Sequence, residues 1–393
     1  MSAARRRGLT GVAAGVAMAV AAGAFAAPAF AGASGGGHDG GHGDRHRATQ
    51  KAMEEAVNAN APGVTAQVRD KHGTWDSAAG IGDLRRQSPR GAHDRYRVGS
   101  ITKTFVSTVI LQLAAEGELS LDDKVGRWLP GVVEGNGHDG DAITVRQLLN
   151  HTSGIYDVLT DPGYQKKMFT EQFLEHRYDT WTPQEQVAIA MRHEPDFDPG
   201  KGWNYSNTNY ILAGMIIKKV TGKSYGHEIE RRIIEPLGLD ATSVPKTDPS
   251  MPQPSSRAYM KLSKAPGARF HDVTELNPTM AGSSGGMISD ADDLNRFYTA
   301  LLRGRLLPKK QLAEMKTTVP QNADEPDGDG YGLGLVSRET PCGTVLWGNG
   351  GDIQGSTSMT LVTERGGHAL SANFNSLDGD LFAIRDAEFC KKK

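Results

Sequence analysis

The chain has 393 residues, of which 38% are hydrophobic and 23% charged. That is the composition of a globular protein long enough for one large domain or two modest ones, and it excludes a coiled coil or a disordered acidic tail. With 44 Lys and Arg against 46 Asp and Glu the formal charge is -2, so no basic surplus points to a nucleic-acid partner.

The first segment reads as an address. Arg5, Arg6 and Arg7 precede an Ala/Val-rich stretch over 11–25, and Ala29-Phe30-Ala31 forms a small-x-small cleavage site. This predicts a signal peptide over 1–31 and a secreted product beginning near Gly32. Removing three arginines leaves 41 minus 46, a charge of -5. Arg6-Arg7-Gly8-Leu9 leaves a twin-arginine route open beside the general one. A retained membrane anchor is disfavoured by the glycines and by Pro28, and nothing downstream approaches about 18 uninterrupted apolar residues, so no stable membrane anchor is expected. Residues 32–47 form a Gly/His-rich linker without an apolar anchor and are expected to be disordered. His38, His42 and His46 recur every four residues, but such a tract reads as a solvated spacer rather than a metal site.

The pattern over 48–58 suits a helix, and 63–69 with 73–79 alternate as two strands around Asp70-Lys71-His72-Gly73. Residues 101–116 are expected to form an amphipathic helix with Phe105, Val109, Leu111 and Leu113 on its apolar side and Gly117 as its stop. The middle of the chain reads as helices at 144–149, 183–192, 209–220, 225–234 and 291–302, joined by polar, Pro-rich connections. After residue 330 short apolar runs at 332–336, 344–347, 356–362 and 368–373 read as strands, and 381–389 as a closing helix. Strands at both ends with helices between predict an α+β fold: a sheet-bearing lobe built from the two chain ends and an inserted, mainly helical lobe. Residues 48–392 are expected to form one domain. The two cysteines, Cys342 and Cys390, are expected to pair, because an exported chain with an even count usually bridges.

Ser100-Ile101-Thr102-Lys103 lies where a polar segment opens the 101–116 helix, which would put Lys103 one turn beyond Ser100 on the same face. A serine is a poor nucleophile until a neighbouring base accepts its proton, and a helix N-terminus favours the negative charge that then develops. Ser243 and Lys246 share the spacing, but Pro245 in a polar loop leaves nothing to hold that lysine over that serine. Tyr205-Ser206-Asn207 follows a turn and precedes a helix, offering a phenol to relay a proton and a carboxamide to bind an amide; as structural residues they would cap a loop.

Ser100-x-x-Lys103, Tyr205-x-Asn207, the stretch Leu148-Leu149-Asn150-His151-Thr152-Ser153-Gly154 and a Gly-rich C-terminal strand together resemble the penicillin-recognising serine hydrolases, of the class C β-lactamase and secreted D-alanyl-D-alanine carboxypeptidase type. The run 205–209, the segment Tyr331-Gly332-Leu333-Gly334-Leu335 and the two cysteines look like the carboxypeptidase branch. The resemblance implies a two-lobed β-lactamase/transpeptidase-like fold, with an antiparallel sheet and flanking helices. It also implies an acyl-enzyme at Ser100, proton shuttling by Lys103 and Tyr205, a substrate amide held by Asn207, and an oxyanion site made by the Ser100 N–H and an N–H near Asp352. D-amino-acid peptides, esters, β-lactams or cell-wall peptide are the implied small partners, with no cofactor and a monomer sufficient.

The family's His/Lys-Thr-Gly triplet is replaced here by Asn349-Gly350-Gly351, followed by Asp352. Where the carboxypeptidase branch carries an arginine after the Tyr-Gly-Leu-Gly-Leu strand, this chain has Val336, with Arg338 two residues on and displaced by about 7 Å. Weakened recognition of a free C-terminal carboxylate is therefore expected, with esters, amides or amine-bearing substrates favoured; a shifted alignment in which Arg338 does that work is the alternative. A β-lactamase, esterase or amidase activity remains open on the same machinery. Gly282-Ser283-Ser284-Gly285-Gly286 matches a nucleophile elbow with His368 as a base, but no buried strand precedes it, so it reads as a flexible connection beside the cleft. A non-catalytic binder of cell-wall peptide or penicillin would have no need for Ser100, Lys103, Tyr205 and Asn207 together. His151 reads as ordering a loop rather than binding zinc, and Trp203 as a packed aromatic bordering the site.

Overall fold

The computed structural model describes residues 45–321 and 329–390. The expected signal peptide, and the linker as far as residue 44 with His38 and His42, lie outside the described residues.

Helix α1 (Arg47–Asn58) is followed by the hairpin of β1 (Gly63–Asp70) and β2 (Gly73–Asp83), with Asp70 opposite Gly73. Gly73 takes a positive φ of 128° at the turn, a conformation that side chains resist. The central helices are α2 (Thr102–Glu116), α3 (Asn207–Thr221) and α4 (Ala291–Leu302). The last stretch supplies β3 (Val336–Glu339), β4 (Val345–Ile353), β5 (Ser356–Thr363), β6 (Ala369–Phe374) and helix α5 (Leu381–Phe389). In the main sheet the order is 319–320, 330–331, β3, β4, β5, β6, β1, β2 and 88–89. Every neighbouring pair is antiparallel. The two chain ends thus meet inside the sheet, where Val64 of β1 lies opposite Phe374 of β6.

Both faces of this sheet are covered, which explains why β1 is buried on both sides. Val64, Ala66 and Val68 pack with Leu361, Leu370 and Phe374 under α1 and α5. The alternate residues are polar: Asn295 of α4 donates to the Gln67 carbonyl (3.0 Å) and accepts from Ser371 (2.9 Å), pinning α4 across the opposite face. Buried polar groups there are tolerated because each has a partner.

Helix α2 departs from the amphipathic pattern expected of it: every residue from Thr102 to Leu111 is buried. It is wedged among α3, α4 and the sheet, with Phe105 stacked on Phe297 at 3.7 Å, and a helix enclosed on all sides needs no polar face. Two further expectations are corrected. Residues 332–336 are not one strand; 330–331 and β3 are separated by a bend at Gly334 (φ 70°), whose carbonyl accepts from Thr104 (2.6 Å). The helix expected over 225–234 changes to a wider π turn from Glu230 to Ile234.

The linker also ends sooner than 47. His46 is buried, stacks on Trp75 at 5.1 Å and contacts Glu388 (3.0 Å). Glu388 is also reached by Thr49 (2.6 Å) and His368 (2.7 Å). Cys342 and Cys390 form a disulfide with Cα atoms 5.7 Å apart and a sequence separation of 48, worth about 4 kcal/mol by loop closure. The start of α1, the end of α5 and the turn between β3 and β4 are thereby tied together.

Burial alone would raise the Glu388 carboxyl, but hydrogen bonds from His368, His46 and Thr49 overcome it and lower it to about 2. A carboxyl lowered in the folded state stabilises above its ordinary value of 4.5 and loses that contribution as pH falls toward 2. Glu388→Gln should therefore lower the denaturant midpoint at pH 7 and flatten its decline between these two values, as measured by chemical unfolding at a series of pH values. A wild-type decline retained in the variant would assign the acid sensitivity elsewhere.

Candidate active site

A cleft of about 650 Å³ opens between the β4 edge of the sheet and the helical region, and Ser100, Tyr205, Asn207 and the 349–352 segment line it. Ser100 lies in a short 3-10 turn, Gly99–Ile101, that runs directly into α2. Lys103, one turn on, is completely buried and its Nζ lies 3.0 Å from Ser100 Oγ. On the other side of that oxygen the Tyr205 hydroxyl donates to it at 2.7 Å.

Lys103 Nζ has two further partners, Asn207 Oδ1 at 2.8 Å and the Ser284 carbonyl at 2.8 Å. Burial pushes the ammonium down to about 7, opposed by the charge of Asp157. Asp157 is itself raised by burial, against hydrogen bonds from Leu159 and Asn207 that favour its charge. It accepts from the Asn207 backbone N–H (3.0 Å) and from Asn207 Nδ2 (3.1 Å), so a carboxylate sits at the N-terminus of α3, where the helix dipole favours it. Helix α3 begins two residues earlier than its periodicity suggests, and this places Asn207 in its first turn.

Burial pushes the Tyr205 phenol well up, with Tyr331 adding to the effect. Behind its ring lies His151, fully buried, with ring centroids 4.3 Å apart. His151 Nδ1 faces two donors, the Ser206 N–H (3.2 Å) and Asn209 Nδ2 (3.2 Å). That pattern assigns the proton to Nε2, which donates to Tyr331 Oη (3.1 Å). Desolvation holds His151 well below its ordinary value, with Lys103 acting in the same direction. The histidine is therefore a neutral spacer that fixes Tyr205.

The close approach of β4 to Ser100 depends on two glycines. Gly99 has φ 53°, and a Cβ there would lie 2.8 Å from the Asp352 nitrogen. A Cβ on Gly351 would lie 2.1 Å from the Val98 carbonyl and 2.6 Å from the Ser100 nitrogen. Removing both side chains lets the strand and the turn carrying Ser100 share one wall of the cleft, the arrangement an oxyanion site requires.

Other residues singled out in the sequence fall into different positions. Asn349 turns inward, donating to Thr104 Oγ1 and the Gly334 carbonyl, each at 3.3 Å. Gly350 and Asp352 line the cleft, with the Asp352 carboxylate accepting from the Thr357 hydroxyl. Arg338 reaches the cleft rim, but its guanidinium is paired with Asp329 and lies over Phe382 at 5.3 Å. Asn207, expected to hold substrate, has its oxygen on Lys103 and one Nδ2 hydrogen on Asp157, which leaves one hydrogen for a ligand. The 282–286 stretch is a short helical turn rather than a flexible connection: Ser284 is buried, donates to the Ala281 carbonyl (2.7 Å) and offers its own carbonyl to Lys103. His368 is engaged with Glu388 and supplies no base to Ser284. Trp203 lines the cleft, its ring centroid 6.1 Å from that of His151 in an edge-on arrangement.

Asp157, the Ser284 carbonyl and Tyr331 have functional contacts that sequence reasoning did not assign. Asp157 lies three residues after the Asn150–Gly154 stretch, and that proximity was the signal available. A backbone carbonyl has none.

The chain is similar to several known proteins. A D-stereospecific amidohydrolase from Streptomyces sp. is 57% identical, with a TM-score of 0.84 over 88% of this chain and 99% of its own. A D-amino acid amidase from Ochrobactrum anthropi SV3 is 30% identical, with a TM-score of 0.75 over 88% of this chain and 96% of its own. Penicillin-binding protein 4* of Bacillus subtilis (strain 168) is 29% identical over 290 residues, covering 71% of this chain; the chain matches only 60% of that longer protein. The Beta-lactamase family profile matches residues 47–389. With its serine, lysine and tyrosine converging on one cleft and its antiparallel sheet closed by both chain ends, the chain belongs to the Beta-lactamase family.

Proposed function

We propose that this protein is a serine hydrolase that cleaves amides and peptides of D-amino acids through an acyl-enzyme on Ser100. The observation that carries the reading is the hydrogen-bond inventory of Lys103. A neutral amine has two N–H groups and one lone pair. Two carbonyl oxygens, on Asn207 and Ser284, account for both N–H groups, and the lone pair is left for the Ser100 hydroxyl. With its ammonium lowered to about 7, Lys103 is substantially neutral at neutral pH and suited to act as the base.

In the acylation step Ser100 Oγ bonds to the substrate carbonyl carbon while its proton passes to Lys103 Nζ. The carbonyl electron pair moves onto the oxygen, facing the backbone N–H groups of Ser100 and Asp352. As the tetrahedral adduct collapses, the C–N bond breaks and Tyr205 delivers its hydroxyl proton to the departing nitrogen. Lys103, 4.7 Å from the Tyr205 ring centre, returns the proton it took to the Tyr205 phenolate by way of solvent. Water then attacks the ester, and the same groups run in reverse to free the acid and restore the serine.

The similarity to a D-stereospecific amidohydrolase and a D-amino acid amidase supports D-configured amides as the substrate class. Apolar residues Leu159, Tyr164, Met168, Phe169 and Met280 along one wall suit a hydrophobic side chain. Arg338 is spent on Asp329, which supports amide or ester substrates over peptides with a free terminal carboxylate. We also propose export directed by residues 1–31, a reading supported by Arg5 to Arg7 and the cleavage site, and a monomeric working form, since one chain supplies all the groups invoked.

D-phenylalanine amide should be hydrolysed faster than its L enantiomer and faster than a peptide ending in D-alanyl-D-alanine, as followed by product release. Ser100→Ala should lose on the order of 10⁵-fold in kcat. A stronger reaction with the free-acid peptide would return the assignment to a carboxypeptidase; turnover of esters alone would make it an esterase.

The pH profile offers an independent check. Since the base is neutral Lys103, kcat/KM for an amide without a free amine, such as N-acetyl-D-phenylalanine amide, should rise with pH along a limb centred near 7 and level off above it. Lys103→Arg, which cannot deprotonate in this range, should abolish the limb together with the activity. A profile flat from pH 5 to 9 would exclude Lys103 as the base.

A further inference from the structure

Charge in the cleft is unevenly distributed. The charged residues among its described lining are Arg338, Asp352 and Asp380, and two of them are already committed. Arg338 is paired with Asp329. Asp380 caps α5, accepting from the Phe382 and Ala383 N–H groups at 2.9 and 3.1 Å. Asp352 differs: it is exposed, it has no cationic partner among the described residues, and the side-chain hydrogen bond it makes there is to the Thr357 hydroxyl. A carboxylate has about four lone-pair sites, so most of its acceptor capacity faces the cleft.

Its position makes that capacity useful. Asp352 is next to Gly351, whose Cα carries no side chain because the Ser100 backbone lies against it. The carboxylate thus projects from the same strand segment that flanks the reacting serine, and its charge reaches far enough to raise the Tyr205 phenol. An acyl group bound to Ser100 has its α-carbon one bond from the carbonyl, so an α-substituent is the part of the substrate that can meet a charge so near the serine. Two side-chain and backbone acceptors near Ser100, Asn207 Oδ1 and the Ser284 carbonyl, are occupied by Lys103.

Resting on the acyl-serine reading above, we propose that Asp352 is the anchor for a free α-ammonium group, so that the enzyme selects amides whose acyl residue is an unblocked N-terminal amino acid. Thr357 positions the carboxylate by donating to one of its oxygens, and the other oxygen receives the ammonium. An N-acylated residue has no charge to offer and would leave the carboxylate without its partner, which gives discrimination by an unpaired polar group as well as by attraction. The same carboxylate repels a terminal carboxylate that strays into this subsite.

The test compares D-phenylalanine amide with N-acetyl-D-phenylalanine amide on wild type, Asp352→Asn and Asp352→Glu. Wild type should favour the free amine by about tenfold or more in kcat/KM. Asp352→Asn should collapse that ratio toward one, chiefly through a higher KM for the free amine, and Asp352→Glu should restore part of it. For wild type, KM of the free-amine substrate should climb as pH passes the α-amine value of about 8, whereas KM of the acetylated one should not. Equal losses on both substrates in Asp352→Asn, a preference for the acetylated amide, or no turnover of the free-amine amide would overturn the proposal. Ser100→Ala separates the two levels: activity persisting in that variant would refute the acyl-serine reading itself, whereas its loss with an unchanged substrate ratio in Asp352→Asn refutes the anchor alone.

Discussion

The site depends on taking one lysine out of water. Lys103 sits in the first turn of a helix that is buried on nearly every side, and an ammonium in such surroundings is costly unless it is paired or gives up its proton. The protein does not pair it directly with a carboxylate. Asp157 is held one residue away, behind Asn207, close enough to temper the shift and too far to lock the charge. Moving Asp157 into direct contact would restore an ordinary, useless ammonium; deleting it would remove the counterweight that the network supplies. The lysine is thus set by what surrounds it, and α3, the 282–286 turn and α2 each contribute one wall.

Tyr205 is governed by the same physics with opposite sign. Burial of a phenol favours the neutral form, so desolvation keeps Tyr205 protonated while it helps Lys103 to deprotonate. One apolar enclosure therefore prepares a base and an acid on either side of a single serine oxygen. His151 adds shape without charge, since its enclosure keeps it neutral and its two ring nitrogens are consumed by neighbours.

Much of this was legible in the sequence where the signal is local. The β1–β2 hairpin follows from alternation around a Gly-containing turn, and α4 and α5 run over the same residues that their periodicity suggested. Ser100 and Lys103 could be singled out because spacing and helix context imply a shared face, and Tyr205 because its motif resembles the family's; the structure brings all three together. What could not be read is what arises only when distant segments meet. The Ser284 carbonyl has no side-chain signature, and the 282–286 glycines invited the wrong inference of flexibility. Helix α2 looked amphipathic because a sequence window cannot count how many elements will pack on it. His46 looked like spacer because its partner, Glu388, lies 342 positions away.

The adjacency of β1 and β6 has a consequence for how the molecule is made. The β1–β6 pair joins residues 64 to 69 with residues 369 to 374, so the sheet cannot close until nearly the entire chain has been synthesised. Contacts of such sequence separation are slow to form because the intervening chain must first be gathered in. The β1–β2 hairpin and the inserted helices can organise early, but β4 cannot dock beside Ser100 in a finished sheet until the last strands arrive. Hydrolytic competence is therefore acquired at the final stage of folding, as a single event that also brings Cys342 to Cys390 and seats His46 on Glu388.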